Sequence, residues 1–342
     1  MKKGQQTTLK SIADKLDVSV STVSRVLSGQ GKKYRISQKT ATAIQEEAGK
    51  LDFTPNQLAR GLRLKKTHTI GLVIPDISNP FFSTLARHVE MESRKSGYGV
   101  FLCDTEENTE IEVQSLNYMR TRKVDGVIIS PVGLSGDHLA RMHEGGLPIV
   151  VVDRYFPTVM LPYVTSDNFK GALEGVVHLL ENGHRVVACI QGILDSAPNR
   201  DRVRGYQAAH EQFEVKVDAN LIVGDNFGER NGYIQMKLLL SRAQRPTAIF
   251  SVGNLITLGA LRAIAEEGLT VPDDISIVSF DEQPYSGFLA TPMTTISQQN
   301  EAMGQIAVSL LLGQMEAKGH PESEGILLPT RLIKRESVRR LP

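Results

Sequence analysis

The chain has 342 residues, 41% hydrophobic and 23% charged, a profile that fits a globular protein of two or three domains. No apolar run reaches membrane-spanning length. The amino terminus, MKKGQQTTLKSIADKL, lacks the apolar core of a signal peptide, so a cytoplasmic location is expected. The net charge of +1 hides an asymmetry. Residues 1–66 carry 14 basic and 5 acidic side chains (+9) and the remainder 25 and 33 (−8), as expected for a polyanion-binding head on an acidic body.

Thr8 is placed to cap a first helix whose apolar positions are Leu9, Ile12, Ala13 and Leu16, the spacing of a half-buried helix. Asp17-Val18 makes a short turn, and Ser19 caps a second helix running to about Leu27. A third helix starts near Ser37, with Ala41, Ile44, Ala48 and Leu51 on its apolar face. Two short helices across a tight turn form the DNA-binding helix-turn-helix arrangement. Val23, Val26 and Leu27 take the inner face of the second helix, while Val20, Ser21, Ser24, Arg25 and Ser28 point outward. Such a face suits a major groove. Arginine can chelate O6 and N7 of guanine, valine can touch a thymine methyl, and hydroxyls can bond bases or phosphates. A merely solvated polar face is the plainer alternative, but turn, cap and positive charge together favour DNA. The loop GQGKKYRIS adds Lys32, Lys33 and Arg35 as candidate phosphate contacts.

In FTPNQLARGLRLKKTHT, residues 53–69, Thr54-Pro55 can open a helix with room for about two turns. Its apolar residues Leu58, Ala59 and Leu62 have no obvious intrachain partner, so the segment is either a linker or a helix that folds against a second copy on DNA.

From residue 69 the pattern alternates buried strands with amphipathic helices. TIGLVIP, YGVFLCD, DGVIISP and LPIVVVD form one set of strands; RVVACIQG, ANLIVGD, TAIFSV and SIVSFDE form a second. The expected fold class is therefore a small all-α head followed by an α/β body of two lobes with parallel, doubly wound sheets. Cys103 and Cys189 lie inside strands and are expected to be buried free thiols. The scattered histidines show no metal-ligand spacing, and no metal or cofactor is expected. Ligands of such sheets bind beyond the carboxyl ends of the strands. There the chain places Ser78–Phe82, Ser130, Asp153-Arg154, Asn254 and Asp281, with Arg202 opening a helix before Gly205-Tyr206. Carboxylates, amides, an arginine fork and an aromatic face suit a polyhydroxy ligand, though any one of these residues is equally compatible with capping or an interlobe ion pair. Of Phe81 and Phe82, one is expected to pack in the lobe core.

TLKSIADKLDVSVSTVSRVLSG, then FTPNQLARGLR, then TIGLVIPDISNPFF resemble the lactose-repressor/galactose-repressor family of bacterial transcription regulators, and the match runs from Thr8 to Val338. The resemblance implies a helix-turn-helix at 1–53, a hinge helix and linker at 54–68, a first lobe at 69–165 with 298–324, and a second at 166–297 with 325–342. The body then resembles the periplasmic sugar-binding proteins, with crossings near Ser166, Ser297 and Gly325. It assigns Thr8, Ser19, Val20, Ser21, Thr22, Ser24, Arg25, Asn56, Ala59 and Leu62 to DNA, Leu62 as a minor-groove wedge. It assigns Phe81, Phe82, Ser130, Asp153, Arg154, Arg202, Asn254 and Asp281 to an effector, expected to be a neutral sugar or small oligosaccharide, with a sugar phosphate or uronic acid left open by Arg154 and Arg202. The loop between the second and third helices looks longer than the family's usual version.

The implied function is a repressor of carbohydrate-utilisation genes, acting as a homodimer on double-stranded operator DNA. No heptad-patterned tail follows the last strand, so a dimer is expected rather than a tetramer. The alternatives are a sugar-binding transport protein and a regulator of a non-sugar effector such as a nucleobase. The first would leave the head unexplained; a purine fits poorly with Ser196, Ala197 and Pro198 after ACIQG. No nucleophile elbow, phosphate-binding loop or metal motif points to an enzyme.

Overall fold

The computed structural model describes residues 8–51, 53, 66–316 and 325–342. The chain divides into two compact units at Thr67/His68. The hinge expectations at Asn56, Ala59 and Leu62 lie outside the described residues.

The head contains α1 (Leu9–Lys15), α2 (Val20–Leu27) and α3 (Gln38–Lys50). Each begins at a hydroxyl cap: Thr8 accepts from the Ser11 amide, Ser19 from Thr22 and Ser37 from Thr40. Such caps satisfy amides that the helix itself leaves without partners. Asp17 turns the chain in the left-handed region, at φ 52°. Ile12, Ala13, Val23, Val26, Ile44 and Ala48 form the core. Lys15 of α1 holds the buried Glu47 of α3 at 2.5 Å.

The body has two six-stranded sheets. The first runs in the order β11-β5-β4-β3-β1-β2, where β1 is Thr69–Ile74, β2 Gly99–Asp104, β3 Gly126–Ile129, β4 Ile149–Val152, β5 Tyr163–Ser166 and β11 Gly325–Leu328. The second runs β12-β10-β9-β8-β6-β7, where β6 is Val187–Ile190, β7 Ile222–Val223, β8 Ala248–Ser251, β9 Ser276–Phe280, β10 Thr294–Ser297 and β12 Arg331–Ile333. All neighbours are parallel except β10 and β12. Helices α4 (Pro80–Lys95), α5 (Thr109–Thr121), α6 (Asp137–Glu144) and α11 (Asn300–Glu316) cover the first sheet. The second lobe holds α7 (Asn168–Glu181), α8 (Ala197–Gln212), α9 (Glu229–Leu240) and α10 (Asn254–Glu266). Strands buried on both faces explain the near-continuous apolar runs.

Four details differ from the sequence-based expectation. Gly325–Leu328 belongs to the first sheet, paired from Gly325↔Tyr163 to Leu328↔Ser166, so the third crossing falls after Leu328, not near Gly325. ANLIVGD is mostly a turn: Asp218 accepts from the Asn220 amide, and only Ile222 and Val223 pair with β6. Cys189 is fully buried, but Cys103 is only half-buried because β2 is an edge strand. Arg202 does not open its helix; α8 starts at Ala197 and puts Arg202 in the second turn.

Candidate functional site

In the head, the exposed residues of α2 are Val20, Ser21 and Arg25, preceded by exposed Ser19; Thr22 and Ser24 are half-buried. Thr8 and Ser19 are structural first. Thr8 forms a reciprocal capping box with Ser11. The Ser19 hydroxyl lies 2.8 Å from those of both Ser21 and Thr22. Val20, Ser21 and Arg25 are thus the members of the sequence-derived set most open to a partner, and α2 holds them on one rigid face.

In the body, the carboxyl ends of the two sheets meet at an inner cavity. Asn79 caps α4 by accepting from the Phe81 amide at 3.1 Å, and Pro80 fixes the first helical position. The same Asn79 Oδ1 accepts from Asn254 Nδ2 across the cleft at 2.9 Å. Asn254 begins α10, so this bond joins two helix amino termini from opposite lobes. Phe81 and Phe82 both line the cavity, edge-on at 5.0 Å, and both are buried. They do not separate into a core residue and a ligand residue.

Asp153 and Asp281 face the same cavity. Burial pushes the Asp153 carboxyl up to about 6, against the pull of the Arg154 and Arg202 cations and with a push from Asp281 and Glu107. Arg154 is buried. That desolvation opposes its charge, but two bonds to Glu107, at 2.5 and 2.6 Å, outweigh it and hold the cation firmly protonated. Its guanidinium lies 5.7 Å from the Phe82 ring and 5.4 Å from that of Phe227 in the other lobe. Arg202 stacks on Phe280 at 3.6 Å, while its Nε donates to Asn168 and its Nη1 to the Val252 carbonyl. Burial shifts Arg202 downward, opposed by Asp281 and Asp153.

Of the sequence-derived effector set, Phe81, Phe82, Asp153, Arg154, Arg202, Asn254 and Asp281 line one cavity. Ser130 does not join that lining; it is fully buried at the end of β3, with its amide on the Val73 carbonyl. Sequence reasoning missed Gln298 and Phe227. Gln298 bridges the first two crossings: it accepts from Ser166 and donates to Asp281, both at 2.5 Å. Phe227 stands against Gly192, where an added Cβ would come within 2.4 Å of the ring. An aromatic in the polar loop GDNFGER was the available signal for Phe227; Gln298 offered none.

The inner cavity has a volume of about 30 Å³, room for a water or two. Small-molecule sites are typically about ten times larger. A molecule larger than water fits this cavity only if its walls move apart, and the Asn254–Asn79 bond spans them.

Residues 8–56 match the family described as "Bacterial regulatory proteins, lacI family", and residues 67–336 match "Periplasmic binding proteins and sugar binding domain of LacI family". The chain belongs to the LacI family. Among its relatives, the HTH-type transcriptional regulator DegA of Bacillus subtilis is 32% identical over 340 residues, covering 97% of this chain and 98% of that one. The ribose operon repressor of Halalkalibacterium halodurans is 35% identical over 333 residues, covering 97% of each. Among solved structures, the Lac repressor dimer bound to operator and the anti-inducer ONPF superimposes with a TM-score of 0.86 at 25% identity, covering 98% of this chain and 100% of that one. This LacI-family chain is a DNA-binding transcriptional repressor, not an enzyme, with operator DNA and a small-molecule effector as its partners. Among the described residues, no helix is long and apolar enough to cross a membrane.

Proposed function

We propose that this repressor controls carbohydrate-utilisation genes and answers to a neutral sugar held between the two lobes. The observation that carries the reading is the charge balance of the cavity wall. Asp153 and Asp281 set two carboxyl groups in the lining against the guanidiniums of Arg154 and Arg202, and Glu107, outside the lining, already occupies Arg154 bidentately. An anionic effector would find no surplus of positive charge. A polyhydroxy ligand finds what it needs: carboxylates and amides able to engage neighbouring hydroxyls, and the Phe82 and Phe227 rings to cover C–H faces. A ribose operon repressor among its relatives supports a link to carbohydrate genes.

As a homodimer, the protein presents two copies of α2 to the half-sites of a near-palindromic operator, with Arg25 reading a guanine in each. Binding between the lobes redistributes the contacts at Gln298 and Asn254, which is how the effector acts on the body. A thermal-shift panel of neutral sugars, sugar phosphates, nucleosides and nucleobases tests the effector class, since a ligand that binds only the native state raises its stability. Stabilisation by a neutral sugar, lost in Asp281→Ala, is expected. A shift produced only by phosphorylated sugars or by nucleobases would overturn the assignment.

A further inference from the structure

The loop from Gly29 to Ile36 is longer than a tight turn between two helices requires, and it is not loosely held. Gly29 turns the chain at φ 72° and Arg35 turns it again at φ 53°. The Gln30 amide donates to the Arg25 carbonyl at 2.9 Å, Tyr34 to Gln30 at 3.2 Å, Arg35 to Lys32 at 3.1 Å and Ile36 to Gly31 at 3.0 Å. Ile36 is anchored on the head core. The loop thus folds back along α2, and the Tyr34 ring comes to lie 4.0 Å from the Arg25 guanidinium carbon. Nothing in core formation needs this: Tyr34 is 43% exposed, and Arg25 is exposed as well.

The geometry leaves Arg25 half-engaged in a specific way. An aromatic ring takes the flat face of a guanidinium, whereas bidentate recognition of guanine uses its in-plane N–H edge. The two contacts are mutually compatible. A carboxylate in the same place would occupy the edge instead. An unsupported arginine on a helix surface must give up rotamer freedom when it docks, and a ring that already holds one face reduces that loss.

We propose that Tyr34 is a positioning residue for DNA recognition: it holds Arg25 with its donor edge free, so that the loop 29–36 belongs to the sequence-reading surface alongside α2. The proposal rests on Arg25 reading a guanine, and the test separates the two. Full-length wild type, Arg25→Ala, Tyr34→Phe, Tyr34→Leu and Tyr34→Ala are each used to select from a pool of random-sequence DNA duplexes at fixed salt. Base preference is scored position by position, and each variant's melting temperature is measured in parallel. Wild type and Tyr34→Phe should enrich one motif with a guanine at the same place in each half-site. Arg25→Ala should lose that guanine. Tyr34→Ala and Tyr34→Leu should weaken it by a factor of about 2 to 5, leaving the other positions unchanged. Undiminished guanine preference in Tyr34→Ala or Tyr34→Leu overturns the proposal. So does an equal loss at every position, which is the signature of a structural role, or a Tyr34→Phe protein as weakened as Tyr34→Ala. If Arg25→Ala keeps the guanine, the assignment of Arg25 falls and the proposal with it. Should Tyr34→Ala melt too early to select DNA, Tyr34→Leu, which keeps the bulk without the π face, decides.

Discussion

Asp153 and Asp281 occupy the same place in the two lobes. Each is the first residue past its strand, β4 or β9, and these two strands hold equivalent positions in the order of their sheets. Each sits in the left-handed region, at φ 61° and 73°. Each amide donates to a carbonyl of the next strand, Val164 on β5 and Ile296 on β10, at 2.9 and 3.0 Å. A non-glycine residue in that region costs energy, and Asp is among the types that tolerate it best. The repeated strain aims two carboxyl groups from opposite walls at one cavity, which a purely structural cap would not require.

Asp281→Ala should still bind operator, at some cost in stability because Ala tolerates the left-handed backbone less well than Asp, but lose its response to the effector. Removing one hydrogen bond to a charged group costs about 1.5–3 kcal/mol, a fall in effector affinity of roughly 10- to 150-fold. Operator binding with and without the stabilising sugar measures it. A mutant that responds at the wild-type effector concentration would make Asp281 a strand-end cap and no more.

The pH dependence of stability should reveal Asp153. Its native carboxyl keeps its proton up to about pH 6, whereas the unfolded one ionises near 3.9. Between those values the native state binds more protons, so this group's contribution falls as pH rises and is level above about 6. The full loss is about 3 kcal/mol. Asn tolerates the same backbone and does not titrate. The stability of Asp153→Asn relative to wild type should therefore climb from pH 4 to pH 6 and then plateau. A difference that stays constant across that range would show an ordinary carboxylate.

How far the sequence alone reaches depends on whether a feature is local. The caps at Thr8, Ser19 and Ser37 are legible because hydroxyl and amide lie three residues apart. Asp153 and Asp281 are legible because strand ends can be read from apolar runs. Gln298 is not. It matters only because Ser166 and Asp281, 132 and 17 residues away, arrive on either side of it. Glu107 is likewise invisible until the fold brings Arg154 to it. The crossing expected near Gly325 falls later because the open flank of β5 takes Gly325–Leu328 as a strand, a pairing that no local pattern announces. Ser130 had the right residue type at the right strand end and is still absent from the cavity lining, fully buried instead, which the residue type alone does not reveal.

Arg25→Ala should abolish preference for the operator while leaving effector binding unchanged. A lost bidentate guanine contact costs about 1–3 kcal/mol per half-site. Competition between operator and scrambled duplex at matched salt measures the ratio. Equal discrimination by mutant and wild type would exclude Arg25 as a reader.

Salt dependence should divide the head's charges into those that meet phosphate and those that do not. The segment 1–66 carries a balance of +9, so the logarithm of operator affinity should fall steeply with the logarithm of salt concentration. Lys32, Lys33 and Arg35 are all exposed on the loop beside Arg25, whereas Lys15 is engaged with Glu47. Each phosphate contact contributes about 0.9 to the slope, and a dimer carries every contact twice. Lys32→Ala or Lys33→Ala should therefore flatten the slope by about 1.8 while leaving base preference unchanged, the opposite pattern to Arg25→Ala. Lys15→Ala should leave the slope unchanged and act on stability instead, because it exposes Glu47, a buried carboxylate, to the loss of its cation. The measurement is operator affinity across a salt series for the four proteins. If Lys15→Ala flattens the slope as much as Lys32→Ala does, the loop has no privileged contact with the backbone, and the attraction is only that of the head's total charge.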